Sequence, residues 1–196
     1  MKGADTMDFF DVVYKRRAVR QFKPDQVSKA TIVKIIEAAC YAPSGQNLQQ
    51  YEFIVVSGEK KKLLGDSYGV IGVAYSKDWE DEASRRDFIE YARTYGGAPV
   101  IIVVLTNASK YDGIRKMNLE SASAAMENLV LAARALDLGT CWMTGPLQDE
   151  AMIRQLLNIP ADKEIVCITP LGYPVAFPEA PPRIDPELKQ KLRWVE

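Results

Sequence analysis

The chain has 196 residues, of which 47% are apolar and 26% charged, a composition typical of a globular domain and not of a disordered segment. Its 25 basic and 26 acidic residues leave a net charge of −1, which gives no reason to expect binding to nucleic acid or an anionic membrane. The longest apolar run, residues 100–105, is far below the roughly 20 residues that a membrane-spanning helix needs. The N-terminus lacks the apolar stretch of a signal peptide, so we expect a cytoplasmic protein.

Two absences narrow the chemistry. The sequence has no histidine, which excludes a Ser-His or Cys-His pair and removes the commonest zinc ligand, so no metal site is expected. Cys40, Cys141 and Cys167 are too far apart in sequence for a C-x-x-C motif; we expect buried, unpaired thiols, with a reactive thiol as the alternative. Neither G-x-x-x-x-G-K-[ST] nor G-x-G-x-x-G is present, so a nucleotide-like phosphate would have to be held by arginines.

The first third of the chain predicts two helices, a strand and a further short helix. Apolar side chains on one side indicate a helix over residues 6–15. Ser28 can cap a second helix, which Pro43 ends at the latest. Residues 51–56 have the composition of a strand, and residues 59–65 predict a short helix.

The segment 66–97 mixes aromatic with charged residues and has glycines near both ends. Such a segment can serve as a lid over an active site. The alternative is one or two surface helices with aromatic anchors, and the sequence leaves both interpretations open.

A fully apolar strand and a long helix form the centre of the predicted fold. Residues 100–105 are rich in β-branched side chains and suit the middle of a sheet. Residues 118–138 predict the longest helix, which Gly139 ends and which is apolar around most of its girth. Such a helix is buried on more than one side, and we expect Ala125 to lie where a second copy of the chain approaches.

The last part of the chain predicts two strands, one helix and an extended tail. Residues 140–144 and 163–169 predict the strands, and residues 149–158 predict the helix. The tail, residues 174–196, is rich in proline and should form an extended arm. The chain, 1–196, is thus predicted to be a single layered domain of four strands interleaved with helices.

Four short segments carry groups that could bind a ligand. The basic cluster at residues 15–23 either stabilises a helix end or clamps an anion; nucleic-acid binding is not expected for so short a patch. The turn from Pro43 to Asn47 is either an ordinary loop or a ligand contact. Gly145 would let a backbone N–H approach a flat ligand, and Arg183 follows a proline-rich spacer.

The order and spacing of these segments resemble the nitroreductase family of FMN-dependent oxidoreductases over nearly the whole chain. The matching motifs are Arg16-Arg17-Ala18-Val19-Arg20, Pro43-Ser44-Gly45-Gln46-Asn47, Leu138-Gly139-Thr140-Cys141-Trp142, Pro170-Leu171-Gly172-Tyr173-Pro174 and the late Arg183. The resemblance implies an α+β fold, a three-layer α/β/α sandwich with a mixed, mainly antiparallel sheet and a long central helix. It also implies an obligate homodimer with two FMN sites at the interface, embraced by the arms.

The resemblance further implies roles for individual residues. Arg16 and Arg183 would hold the FMN phosphate, and Arg20 would approach the N1/C2=O side of the flavin ring. The turn after Pro43 would contact the flavin from the partner chain, and the Gly145 N–H would lie near N5. The implied cofactor-binding set is Arg16, Arg17, Ala18, Arg20, Pro43, Ser44, Gly45, Asn47, Thr144, Gly145 and Arg183.

The sequence departs from the family pattern at two places. Ala18 stands where the family usually has serine, which removes one hydroxyl near the phosphate. Gln49-Gln50-Tyr51 replaces the frequent Gln-Pro-Trp, which would alter the packing after the turn. A cysteine-rich ferredoxin extension is also absent, so the resemblance implies a diffusible electron donor.

The resemblance implies a flavoprotein of the NAD(P)H nitroreductase type that reduces nitroaromatics, quinones or similar electron-poor acceptors by ping-pong half-reactions. Flavin N5 would carry out the hydride transfer, so no protein residue is predicted to be catalytic. The alternatives are a related flavin enzyme acting on a specific metabolite, by reductive dehalogenation or dehydrogenation, and a flavin-binding protein without turnover. The sequence predicts neither the natural acceptor nor a preference between NADH and NADPH.

Overall fold

The computed structural model describes residues 7–196, in which four strands form one sheet. The strands are β1 (Tyr51–Val56), β2 (Val100–Asn107), β3 (Gly139–Thr140) and β4 (Lys163–Gly172). Their order in the sheet is β1-β2-β4-β3, and each neighbouring pair is antiparallel. A parallel bridge joins Ala18 to Thr140 beside β3, so the sheet is mixed and mainly antiparallel, as expected.

Within the described residues, six α-helices surround the sheet: α1 (Phe9–Lys15), α2 (Lys29–Cys40), α3 (Gly58–Tyr75), α4 (Glu82–Thr94), α5 (Asp112–Ala135) and α6 (Glu150–Leu157). Asp8 and Ser28 cap α1 and α2 by accepting hydrogen bonds from backbone N–H groups of the first turn. The predicted start of the first helix at Thr6 lies outside the described residues. No helix in residues 7–196 is both long and apolar enough to cross a membrane.

Side-chain alternation along β2 divides the interior into two cores. Val100, Ile102 and Val104 face one core, which α2 and α5 cover. The intervening residues of β2 face the opposite core, which α3, α4 and α6 cover. Because successive side chains of a strand point to opposite faces, one strand supports both helical layers. The three-layer α/β/α sandwich is therefore confirmed.

Helix α3 continues well beyond Gly65, where the sequence predicted its end. Gly65, Gly69 and Gly72 lie on the side of α3 that packs against α4, and a Cβ at Gly65 would overlap the Arg93 carbonyl. A Cβ at Gly72 would lie 3.1 Å from the Ala92 Cβ. These glycines allow two helices to approach closely and do not end the first one. The segment 66–97 thus forms most of α3 and all of α4, and its role as a lid stays a prediction.

The long helix α5 begins six residues earlier and ends three residues earlier than predicted. Ala125 on this helix is completely buried within its own chain. The expectation that Ala125 meets a second copy is therefore wrong, because the phase of the helix points this residue inward. The partly exposed side of α5 includes Leu131 and Ala132 instead.

The strand predicted over residues 140–144 is shorter than expected. The chain leaves the ladder at Cys141, whose N–H donates to the Thr169 hydroxyl, 3.2 Å away. It returns at Met143, whose N–H and carbonyl both pair with Ile168. Of the three thiols, Cys141 and Cys167 are buried and Cys40 is exposed, which corrects the expectation that all three are buried.

The segment after α1 meets the start of the arm beside the sheet. The Lys23 N–H donates to the Tyr173 carbonyl at 2.8 Å, and the Val175 N–H donates to the Gln21 carbonyl at 3.0 Å. Farther along the arm, the Phe177 ring lies 4.0 Å from the Arg134 guanidinium carbon of α5. The start of the arm is therefore held by its own chain, next to the basic segment that follows α1.

Candidate functional site

Five cations line a cleft of about 640 Å³ between the segment after α1 and the arm. They are Arg16, Arg17, Arg20, Arg183 and Lys191. We call this the arginine cleft; its walls also include Ala18 and one carboxylate, Glu179. Among the described residues, Arg16, Arg20 and Arg183 form no ion pair. Cations without carboxylate partners in a concave site are suited to bind phosphate oxygens.

Arg17 is bound to the backbone by two short hydrogen bonds, whereas Arg20 makes a single long one to the Ala18 carbonyl at 3.5 Å. The Arg17 Nη1 donates to the Tyr14 carbonyl at 2.7 Å and to the Arg16 carbonyl at 2.6 Å. These carbonyls belong to the end of α1, where a cation also interacts favourably with the helix dipole. The Arg17 Nε is buried without a hydrogen-bond partner in the described residues. The helix-end interpretation of the basic cluster therefore describes Arg17, and the anion clamp stays a prediction.

The sequence analysis missed Lys191, which a turn in the arm brings to the cleft. The buried Asp185 carboxylate accepts hydrogen bonds from the N–H groups of Lys189 and Gln190, both at 2.9 Å, and of Lys191 at 3.2 Å. This cap folds the chain back after Pro186. An Asp-Pro step is a turn signal, and it could have indicated that the arm reverses direction here.

Gly145 lies next to the phenol of Tyr68. A Cβ at Gly145 would lie 3.2 Å from the Tyr68 hydroxyl oxygen, so only glycine leaves this approach open without a shift. Thr144 precedes Gly145 and is exposed. Tyr91 lies beside the same place, with its hydroxyl 3.3 Å from the Met143 Sδ and 3.8 Å from the Cys141 Sγ.

The pKa values of Tyr68 and Tyr91, the two phenols near Gly145, are influenced by burial and by Arg20 of the arginine cleft. Burial raises the pKa of Tyr68 and of Tyr91 above the usual value, and Cys141 raises each further. The positive charge of Arg20 acts in the opposite direction and lowers the pKa of both phenols. Arg20 and Tyr91 also line one pocket together, and both phenols are protonated at neutral pH.

The turn from Pro43 to Asn47 lies apart from the arginine cleft of its own chain. None of its residues lines that cleft. The turn instead rests on α5, where the Gly45 N–H donates to the Ser121 hydroxyl at 3.1 Å. A Cβ at Gly45 would overlap the Met117 side chain. The structure thus brings together Arg16, Arg17, Ala18, Arg20 and Arg183, sets Thr144 and Gly145 beside Tyr68, and leaves the turn as a separate surface.

The fold and the arginine cleft together define a small α+β protein with a cationic cleft beside its sheet. The model of the nitroreductase family matches residues 13–173, which is most of the chain. The chain belongs to the nitroreductase family and is an oxidoreductase. Arg183 and Lys191 lie beyond the matched residues, on the arm.

Several curated proteins are similar to this chain. A protein of Archaeoglobus fulgidus, provisionally named as an NADH dehydrogenase/NAD(P)H nitroreductase, is 31% identical over 93% of this chain and 97% of its own. The 4-nitrobenzoate reductase of Pseudomonas putida is 30% identical over 86% of each chain. The iodotyrosine deiodinase of Thermotoga neapolitana is 28% identical over 84% of this chain and 88% of its own.

A solved structure supports the same relationship. The crystal structure of a nitroreductase with bound FMN from Desulfitobacterium hafniense superposes with a TM-score of 0.73 at 26% identity. The alignment covers 97% of this chain and 100% of that chain. The layered fold is therefore shared over the full length of the solved protein.

Proposed function

We propose that this protein is an FMN-dependent enzyme that uses NAD(P)H to reduce nitroaromatics, quinones or similar electron-poor acceptors by ping-pong half-reactions. The observation that carries the proposal is the arginine cleft in a chain of the nitroreductase family. When bound, FMN supplies the hydride-accepting and hydride-donating position at N5. The protein binds the cofactor, orients it and keeps one face open to donor and acceptor.

The phosphate end of FMN fits the arginine cleft. Arg16 and Arg183 line it from opposite walls and are not neutralised by carboxylates of the described residues. Lys191 adds a further cation. Guanidinium groups bind phosphate in a bidentate manner, and this donor set replaces the glycine-rich loop that the chain lacks. FMN, with its single terminal phosphate, therefore fits better than a dinucleotide held by such a loop.

The ring end of FMN fits the region between Arg20 and Gly145. Arg20 supplies a positive charge that would stabilise negative charge on the reduced ring. Gly145 supplies a backbone N–H without a side chain, and Tyr68 limits the space behind it. Thr144 would flank the ring on the same side. Because no protein group has to remove a proton from carbon, a chain without histidine is sufficient for this chemistry.

The second copy of the chain would complete the site. An apolar groove of about 710 Å³ lies between α1, α2 and α5, and it includes Phe9, Tyr41 and Leu131. Tyr41 is 82% exposed in the single chain, and such an apolar patch is typical of an interaction surface. A homodimer through this groove would bury the patch and let the turn from Pro43 to Asn47, which is remote from its own arginine cleft, reach the partner's flavin.

The electron donor and the electron acceptor are identified by measuring the two half-reactions of the purified protein separately. The flavin is first reduced anaerobically with NADH or NADPH, and its reoxidation is then followed with 4-nitrobenzoate, a quinone or iodotyrosine. Fast reoxidation by the first two supports the proposed reductase. Reoxidation by iodotyrosine with release of iodide favours the metabolite-specific alternative, which the deiodinase relative supports. Stable reduced flavin with every acceptor indicates a flavin-binding protein without turnover.

A cytoplasmic location is part of the proposal. All three cysteines are unpaired thiols, including the exposed Cys40. Free thiols are usual in a reducing compartment and unusual in secreted proteins.

A further inference from the structure

The turn before β1 has an unusual backbone. Gln46, Asn47 and Gln49 all have positive φ angles, of 55°, 55° and 49°. Residues other than glycine adopt this left-handed region at a cost in free energy, and such residues cluster at functional sites. Three of them within four positions need outside interactions to hold the turn in one shape.

A buried polar network supplies these interactions. The Ser121 hydroxyl accepts the Gly45 N–H at 3.1 Å and donates to the Met117 carbonyl at 2.7 Å. The Gln50 amide lies at the other end of the turn, and its Nε2 donates to the Asn118 Oδ1 at 2.9 Å and lies 3.3 Å from the Ser121 Oγ. Ser121 therefore joins both ends of the turn to α5.

The network extends from the turn into the sheet. Asn118 donates through Nδ2 to the Asn107 carbonyl at 2.8 Å, and the Thr106 hydroxyl donates to the Gln50 carbonyl at 2.9 Å. Gln50, Thr106, Asn118 and Ser121 are all at least nine-tenths buried. The Gln50 Oε1 is the one side-chain atom of these four residues that is buried without a partner in the described residues. Buried hydrogen bonds restrict the side chains that make them, so the strained turn is tied to α5 and to the sheet.

Gln50 gives this network a feature particular to the chain, because it occupies the position at which the sequence resemblance leads us to expect proline. Proline would restrict the backbone but could not donate a side-chain hydrogen bond. We propose that Gln50 and Ser121 are positioning residues, which hold the turn of Ser44, Gly45 and Asn47 in the shape that binds the flavin of the partner subunit. This inference rests on the proposed function, and it assigns the preorganisation of the turn to α5 of the same chain.

The test compares Ser121→Ala with Ser76→Ala. Both serines are buried and donate to the carbonyl four residues earlier, Ser121 at 2.7 Å and Ser76 at 2.8 Å, but only Ser121 also accepts from the turn. We expect Ser121→Ala to raise the FMN dissociation constant about tenfold, the effect of losing a typical hydrogen bond. Ser76→Ala should leave it within a factor of about two. Urea denaturation of each apoprotein checks that both variants are folded under the conditions of the binding measurement.

A double-mutant cycle separates positioning from general stability. If Ser121 acts through the turn, Ser121→Ala should have little further effect on FMN affinity once Asn47→Ala has removed a contact of the turn. Gln50→Met, which keeps the size of the side chain, should weaken FMN binding in the same direction and covers the case in which Ser121→Ala does not fold.

The outcomes distinguish this inference from the function on which it rests. If the wild-type protein binds no FMN, the proposed function is wrong. If Asn47→Ala weakens FMN binding but Ser121→Ala and Gln50→Met do not, the function stands and the positioning role is wrong. Additive effects of Ser121→Ala and Asn47→Ala would also overturn the positioning role.

Discussion

The Arg17 guanidinium donates a hydrogen bond to the Tyr14 carbonyl at 2.7 Å and thereby caps the end of α1, the helix that it follows. Arg16, the preceding residue, lines the same cleft and forms no ion pair within the described residues. Two adjacent arginines therefore have different roles: Arg17 supports the local fold, and Arg16 is available to a ligand.

Arg16→Ala is expected to weaken FMN binding by about 1.5–3 kcal/mol, the range for a hydrogen bond to a charged group. This corresponds to roughly 10–150-fold in the dissociation constant, measured by quenching of flavin fluorescence. Lys62→Ala is the control, because Lys62 is an exposed cation outside the cleft. Equal affinities in both variants would exclude Arg16 as a phosphate ligand.

Arg17→Ala is expected to act first on stability. Loss of its two hydrogen bonds to backbone carbonyls should lower the free energy of unfolding by about 1.5–3 kcal/mol, measured by urea denaturation of the apoprotein. Arg17→Lys keeps one charged donor and should recover part of the loss. A variant with unchanged stability and strongly reduced FMN affinity would show that Arg17 is a ligand-binding residue after all.

Arg20→Ala is expected to lower the reduction potential of the bound flavin, because a positive charge beside the reduced ring is removed. For an exposed cation we expect a shift of roughly 10–30 mV, since about 30 mV corresponds to 1.4 kcal/mol in a two-electron couple. The potential is measured against a reference dye, and Arg20→Lys should retain most of the wild-type value. An unchanged potential in Arg20→Ala contradicts the position beside the ring.

Tyr41→Glu is expected to dissociate the dimer and release flavin together. Tyr41 is 82% exposed in the single chain, so the substitution should leave the fold of the subunit intact while placing a charge in the apolar groove. Light scattering gives the mass, and flavin absorbance gives the occupancy. Val70→Glu, an exposed site on α3 outside the groove, should leave both unchanged. A wild-type monomer with stoichiometric FMN would refute the shared site.

Tyr95→Phe is expected to make the protein more resistant to alkaline pH. The Tyr95 hydroxyl is buried without a partner in the described residues, and burial raises its pKa above the usual value of 10.0. The unfolded chain loses this proton near pH 10 while the native state keeps it, so stability falls as pH rises above about 10. Phenylalanine has no titrating hydroxyl, so this contribution to the pH dependence of stability disappears. The substitution also removes the unsatisfied hydroxyl, which should raise the free energy of unfolding by about 1 kcal/mol at neutral pH. The free energy of unfolding of the wild type and of Tyr95→Phe is measured by urea denaturation at pH 8 and pH 10.5. If it falls as much in Tyr95→Phe as in the wild type between these pH values, the prediction is wrong.

The sequence predicted the layered fold, and it singled out the arginines that line the cleft, because both depend on local patterns. A continuous apolar run rich in β-branched residues identifies β2, and the basic cluster stands out in a nearly neutral chain. The course of α3 could not be predicted in this way, since Gly65 ends or continues a helix depending on whether another helix packs against it. Lys191 was missed for a similar reason, because only the Asp185 cap brings it back to the cleft.

The Gly45–Ser121 contact illustrates a further limit. The partners are 76 residues apart in sequence, and neither carries a pattern that indicates the other. The turn was recognisable as a motif, but what holds it could be found only in three dimensions.

The pairing of Lys23 with Tyr173 joins an early and a late part of the chain, so the cleft forms late in the synthesis of the protein. The wall of the cleft that carries Arg16 is among the first parts of the chain to be synthesised, and the wall that carries Arg183 and Lys191 is among the last. Because all the strands and helices of the described residues precede the arm in the chain, the sheet and its helices can form before the cleft exists. Loading of a phosphorylated cofactor would then be a late step of maturation, and a ribosome-stalled or C-terminally clipped chain would be folded but unable to retain it.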